Sequence, residues 1–209
     1  MIRLFFALII AQVIQAFQVT HISDCGKTRG CWMLPPGCSN QETCSVMVTW
    51  KHEGRSLKLE LESELKSQTS RWIGFGLSKD KRMGNDTVFE CHFPSSGQGS
   101  VHLSHNAQTN NMILNKASSL LLKDSYAEIN NGRALCGAEW FLDKTIVLDN
   151  EKKLIHPLSQ GKYHLFFATG DLTQGSKKAH AMAGAGSPWK SVQSVRFCKE
   201  CTSAFKIVS

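Results

Sequence analysis

The sequence predicts an all-β fold, an antiparallel sandwich with a disulfide-rich N-terminal segment, and three observations carry that expectation. Short runs alternate apolar and polar side chains with period two, as half-buried strands do. Turn residues punctuate these runs about every ten residues, the rhythm of sandwiches and barrels. No segment sustains a helical apolar period long enough for a long helix. The 209 residues suit one domain of ordinary size.

The chain starts with Arg3 and an apolar run from Leu4 to Ile14 broken only by Gln12, followed by the small Ala16. That run is too short to span a bilayer and reads as a secretory signal peptide over residues 1–16. No later stretch has the apolar length of a transmembrane helix, and the C-terminus carries no hydrophobic anchor tail, so the expectation is a secreted, soluble protein. All eight cysteines, Cys25, Cys31, Cys38, Cys44, Cys91, Cys136, Cys198 and Cys201, follow the leader. In an oxidising compartment that even count predicts disulfides, with connectivity left open. The formal net charge of +7 is spread thinly, with short pairs at Lys152-Lys153 and Lys177-Lys178. This reads as a solvated surface and excludes a nucleic-acid footprint, leaving a mild attraction to acidic partners or anionic membrane surfaces.

Residues 17–44 form the cysteine-rich segment, with Pro35-Pro36-Gly37 marking turns, and read as a stapled cap on a sandwich over 45–209. Val46, Val48 and Trp50 alternate as a strand, and His52-Glu53-Gly54 reads as a turn. Leu57, Leu59 and Leu61 alternate with Lys58, Glu60 and Glu62, the pattern of a strand with one wet face. Strands follow at Arg71 to Ser78 and Thr87 to Phe93. Weaker candidates are Val101 to His105, Ala134 to Phe141 and Thr145 to Leu148. Ala117 to Leu122 has the composition of one helical turn. Lys162 to Thr169 is a strong strand, and Val192 to Phe197 adds another.

The stretch Arg71 to Cys91, RWIGFGLSKDKRMGNDTVFEC, is the most informative in the chain. Ile73, Phe75 and Leu77 share one face of its strand, while Trp72, Gly74, Gly76 and Ser78 share the other. Two glycines on one face predict that something bulky or flat lies against the backbone. Met83 follows a charged turn, and its thioether is a soft donor suited to haem iron or Cu(I). Gly74-Phe75-Gly76, Ser78, Met83-Gly84, Asp86, Val88 and Cys91 together resemble the signature of DOMON domains. These are the immunoglobulin-like extracellular β-sandwiches of ferric-chelate-reductase-like proteins and of cellobiose dehydrogenase cytochromes. The resemblance runs from about Gly37 to Phe197, and only this block of it is specific.

The resemblance implies haem b held by Met83 and a late histidine, which the family pattern places at His180, upstream of Pro188. Six-coordinate Met/His iron leaves no open position, so such a site transfers single electrons and does not activate oxygen. His164, inside the strand KYHLFFAT, competes for the second position, with Met182 and His156 as lesser rivals. The resemblance also implies a membrane cytochrome b561-type redox partner. Cys91 and Cys136 resemble the lone strand cysteines of the family. Asn85-Asp86-Thr87 is an N-glycosylation sequon beside Met83. Cys198 and Cys201 form a CxxC without the βαβ context of a redox motif or a second metal-binding pair, and read as structural.

No catalytic triad, GxSxG, P-loop or HExxH is present, so the residues support no independent enzymatic activity. The leading expectation is a haem-b electron-transfer module. The alternative is a non-redox extracellular module that binds a sugar, another small ligand or a protein.

Overall fold

The computed structural model describes residues 22–65, 70–182, 188–198 and 206–207. The leader expected over residues 1–16 and Cys201 lie outside these residues. Within them the chain forms β1 (Gly30–Leu34), β2 (Val46–Glu53), β3 (Ser56–Glu64), β4 (Arg71–Ser78), β5 (Asp86–Phe93), β6 (Ser100–Ala107) and β7 (Asn110–Ile113). A short helix α1 (Asn115–Leu121) precedes β8 (Leu122–Asn130) and β9 (Arg133–Phe141). After a one-turn helix α2 (Glu151–Leu154) come β10 (Tyr163–Thr173), β11 (Ser176–Lys177), β12 (Trp189–Val195) and β13 (Lys206–Ile207).

The strands build two sheets packed as a sandwich. The first runs β13-β1-β2-β3-β9-β8, and the second runs β11-β10-β4-β5-β6-β7 with β12 also paired to β10. Pairing is antiparallel apart from β1 with β13. The alternation read from the sequence is what fills the interior. Val46, Val48 and Trp50 of β2, with Leu57, Leu59 and Leu61 of β3, face Ile73, Phe75 and Leu77 of β4 in one core. Burial of each such side chain contributes about 1.5–3 kcal/mol. The Cys91–Cys136 disulfide crosses this core and joins β5 of one sheet to β9 of the other.

Several expectations change. The cysteine-rich segment does more than cap the sandwich: β1, every residue of it buried, is a strand of the first sheet. Its bonds are local, Cys25–Cys31 and Cys38–Cys44, so each staples one turn. Cys198 is disulfide-bonded as well.

Thr145 to Leu148 is not a strand. Asp143 accepts from the backbone N of Thr145 at 2.9 Å and winds Lys144–Ile146 into a 3₁₀ turn. The single helical turn expected near Ala117 is the longer α1, which buries Ala117 and Leu121. Glu62, assigned by alternation to a wet face, is buried under Arg133 and Gln41. No helix among the described residues is long and apolar enough to cross a membrane.

Candidate functional site on the outer face of the second sheet

Because β4 sends Ile73, Phe75 and Leu77 inward, Trp72, Gly74, Gly76 and Ser78 lie on the outer face of the second sheet. The flat material expected against the glycines is there, and the chain itself supplies it. A Cβ on Gly76 would stand 3.2 Å from Phe166 Cβ, and one on Gly74 would stand 3.4 Å from Trp72 Cζ3. The Trp72 indole also lies over Gly170, where a Cβ would come within 2.7 Å of Nε1. Gly170 pairs with Trp72 across the β10–β4 ladder, so the missing side chain is what lets the ring lie flat.

Beside these rings sits a buried ionic cluster. Glu90 of β5 pairs with Gly74 and is fully buried. Its carboxylate accepts from Ser104 Oγ and Lys177 Nζ, each at 2.5 Å, and lies 2.9 Å from His92 Nε2. Lys177 Nζ also donates to Asn111 Oδ1 at 2.7 Å and stands 4.7 Å from the Trp72 ring centroid, a cation–π contact. The His92 and His102 rings lie 5.1 Å apart at the border of the cluster.

Sequence reasoning placed Lys177 on the solvated surface, and the structure corrects that. By pairing, Lys177 belongs to β11, with β10 and β4 between it and β5. Its ammonium nevertheless reaches Glu90, so the β10–β11 ribbon folds over the outer face. Positive φ at Gln174 and Gly175 makes the tight turn, and Trp72 Nε1 ties the ribbon down by donating to the Lys178 carbonyl at 2.8 Å.

Burial pushes the Glu90 carboxyl up, but the His92 hydrogen bond and the Lys177 charge outweigh it and hold the group down at about 2. Burial lowers the Lys177 ammonium by more than Glu90 restores. Burial, helped by the His92 charge, also lowers His102. At neutral pH the result is a charged, closed latch.

The residues singled out as axial ligands stand apart from this latch. Met83 lies in the turn after Ser78 and is 40% exposed. His180 follows the ribbon, with Nδ1 2.9 Å from the carbonyl of Ala181. Ser78 pairs with His164 and Arg71 with Asp171, so Met83 leaves one end of the β4–β10 ladder. The ribbon carrying Lys178 is fastened to Asp171 at the other end. Eight residue pairs make up that ladder, which at about 3.3 Å per residue sets its ends about 23 Å apart. The segments that lead to Met83 and His180 thus start from opposite ends of the ladder.

His164, the competitor, sits at the Met83 end. Its neighbour Leu165 is in the core, so His164 faces outward, opposite Ser78, and its Nδ1 is buried without a hydrogen-bond partner. His156 stacks on Tyr163 at 5.3 Å, and burial together with the Lys79 charge lowers it to about 4. Met182 is exposed. Asn85 is exposed with φ of 54°, so the sequon side chain stands clear of the fold.

A thioether and an imidazole are suitable donors for haem iron. The space is the obstacle. Trp72 and Phe166 already occupy the face that the glycines thin, so a porphyrin between Met83 and His180 would have to share that face with both rings.

Residues 42–170 match the DOMON domain family. The chain is 35% identical over 96 residues to the human DOMON domain-containing protein FRRS1L, covering 46% of this chain and 30% of that protein. It is 28% identical over 154 residues to a Drosophila melanogaster protein that carries the name of a ferric-chelate reductase 1 homolog, covering 71% of this chain and 22% of the other. The chain thus spans less than a third of the length of these curated relatives.

Proposed function

The chain belongs to the DOMON family, and on that premise we propose that it is an extracellular recognition module that works through its surface, binding a sugar, another small ligand or a protein partner. The observation carrying this reading is the closed outer face: Trp72 and Phe166 fill the glycine gaps, and Lys177 seals Glu90 beneath the folded ribbon. A face completed by its own side chains needs no guest to finish the fold. Disulfides within a DOMON sandwich are consistent with an extracellular location. Secretion through the leader and a glycan at Asn85 are part of the proposal.

A second reading is haem b bound through Met83 for electron transfer, with reduced partners of the kind named by the ferric-chelate reductase relatives or a membrane cytochrome b561-type protein. One observation favours it: the buried, unpartnered Nδ1 of His164 lies at the Met83 end of the ladder. In this reading His164 is better placed than His180 to share iron with Met83.

Reconstitution with haemin separates the two. Oxidised and dithionite-reduced visible spectra of the folded, secreted protein are expected to show no sharp Soret band and no split α and β bands. Such bands, if lost on Met83→Ala together with either His164→Ala or His180→Ala, overturn the recognition reading and identify the second ligand.

A further inference from the structure

The end of the sandwich that carries the β4–β5 turn has a feature the latch does not explain. Three loops gather there. The β2–β3 turn carries Arg55, the β4–β5 turn carries Lys79, and the β9–β10 connection carries Lys144 to Lys153. Hydrogen bonds hold them together: Leu142 N donates to Arg55 O at 3.0 Å, and Thr87 Oγ1 at the start of β5 donates to Leu154 O at 3.1 Å.

The β9–β10 connection is braced from within. Lys144 Nζ donates to the carbonyls of Lys152, at 3.0 Å, and of Ile155. Val147 is fully buried and anchors the loop, whereas its neighbours turn out, Ile146 45% and Leu148 93% exposed. The braced loop thus presents two large apolar side chains to solvent within three residues of each other. Of the carboxylates of this loop, Asp149 pairs with Lys116, Glu151 accepts from Ala117 N, and Asp143 is exposed and accepts from Thr145. Arg55, Lys79 and Lys153, one on each of the three loops, are exposed.

We propose that this end docks on an anionic phospholipid surface, with Leu148 and Ile146 entering the headgroup–acyl boundary while Arg55, Lys79 and Lys153 meet the phosphates. Charge complementarity and shape both select that partner. Two exposed apolar side chains on one loop, with exposed cations on it and on two loops tied to it, match a plane of anionic headgroups with hydrocarbon beneath. The inference does not depend on what the outer face of the second sheet binds.

Co-sedimentation of the full chain with large vesicles tests it, comparing pure phosphatidylcholine with vesicles containing phosphatidylserine at low and high salt. Binding is expected only to the anionic vesicles and is expected to weaken as salt screens the charges. Leu148→Asp and the pair Lys79→Glu/Lys153→Glu should each cut it by about tenfold or more. All three positions are exposed, so unchanged melting temperatures are expected, and Leu148→Ser repeats the test should the aspartate disturb the loop. Wild-type protein that stays in the supernatant, or Leu148 variants that bind as wild type, would overturn the proposal. So would retention on heparin without vesicle binding, which would assign the cations to a sulfated glycan.

Discussion

Both sheets bury carboxylates on their outer faces, and they neutralise them in different ways. On the first sheet Glu62 meets Arg133 from the neighbouring strand, and Glu60 accepts from Arg29 at 2.6 Å, with Thr49 alongside. These are partners supplied within the sheet or at its border, and a guanidinium can satisfy a carboxylate and a carbonyl together, as Arg133 does with the Cys44 carbonyl. On the second sheet the adjacent strand's Arg71 pairs with Asp171 and not with Glu90. Lys177 arrives instead from a ribbon folded across two strands. One face is finished by its own strands and the other by a strap. The strap is therefore where a local event could open the molecule without unfolding it.

The contrast breaks most sharply at Lys177. Lys177→Met removes the ammonium from the fully buried Glu90 carboxylate, leaving Ser104 and His92 beside it, and should destabilise the fold by about 3 kcal/mol in urea unfolding. Arg133→Met should cost about 2 kcal/mol, because Gln41 still donates to Glu62 at 3.1 Å. Equal losses would show that the two faces are not different in kind. Combining Lys177→Met with Glu90→Gln should recover most of the loss, since removing both charges removes the unpaired one.

Acid provides a second measure. Glu90 is held at about 2 in the folded protein against an ordinary 4.5, so its contribution is present above about 4.5 and is lost as pH falls towards 2. Chemical denaturation at a series of pH values should show stability declining through that window. In Glu90→Gln this part of the decline should vanish. The smallest effect is expected at Lys51, whose bond to Glu53 joins two half-exposed side chains. Lys51→Ala should change stability by less than about 0.5 kcal/mol, which sets the baseline for a pair that neither face encloses.

What was legible in the sequence was local. Val46 to Trp50, Leu57 to Leu61 and Ile73 to Leu77 announce strands because their alternation is the core itself. β8 escaped notice because it is an edge strand, polar and mostly exposed, with little apolar alternation to read. The Gly74 and Gly76 face correctly signalled a flat neighbour, but no local pattern says whether a ring comes from a cofactor or from Trp72 and Phe166. Glu90 and Lys177 are 87 residues apart, and a lysine in a Lys-Lys pair looks solvated until a Gln174-Gly175 turn folds it inward. The Met83 and His180 assignments came from a family pattern. The strand register that separates their elements could be read only in three dimensions.

Cys91 lies between Glu90 and His92 on β5 and is bonded through the core to Cys136 on β9. The bond acts as a rivet set directly behind the latch. A load applied across the two sheets is carried in part by this covalent link, so side-chain packing need not resist sliding by itself. Strands β5 and β9 would be the last to part. While that rivet holds, the strap can swing away from Glu90 and return to a face whose backbone has not moved.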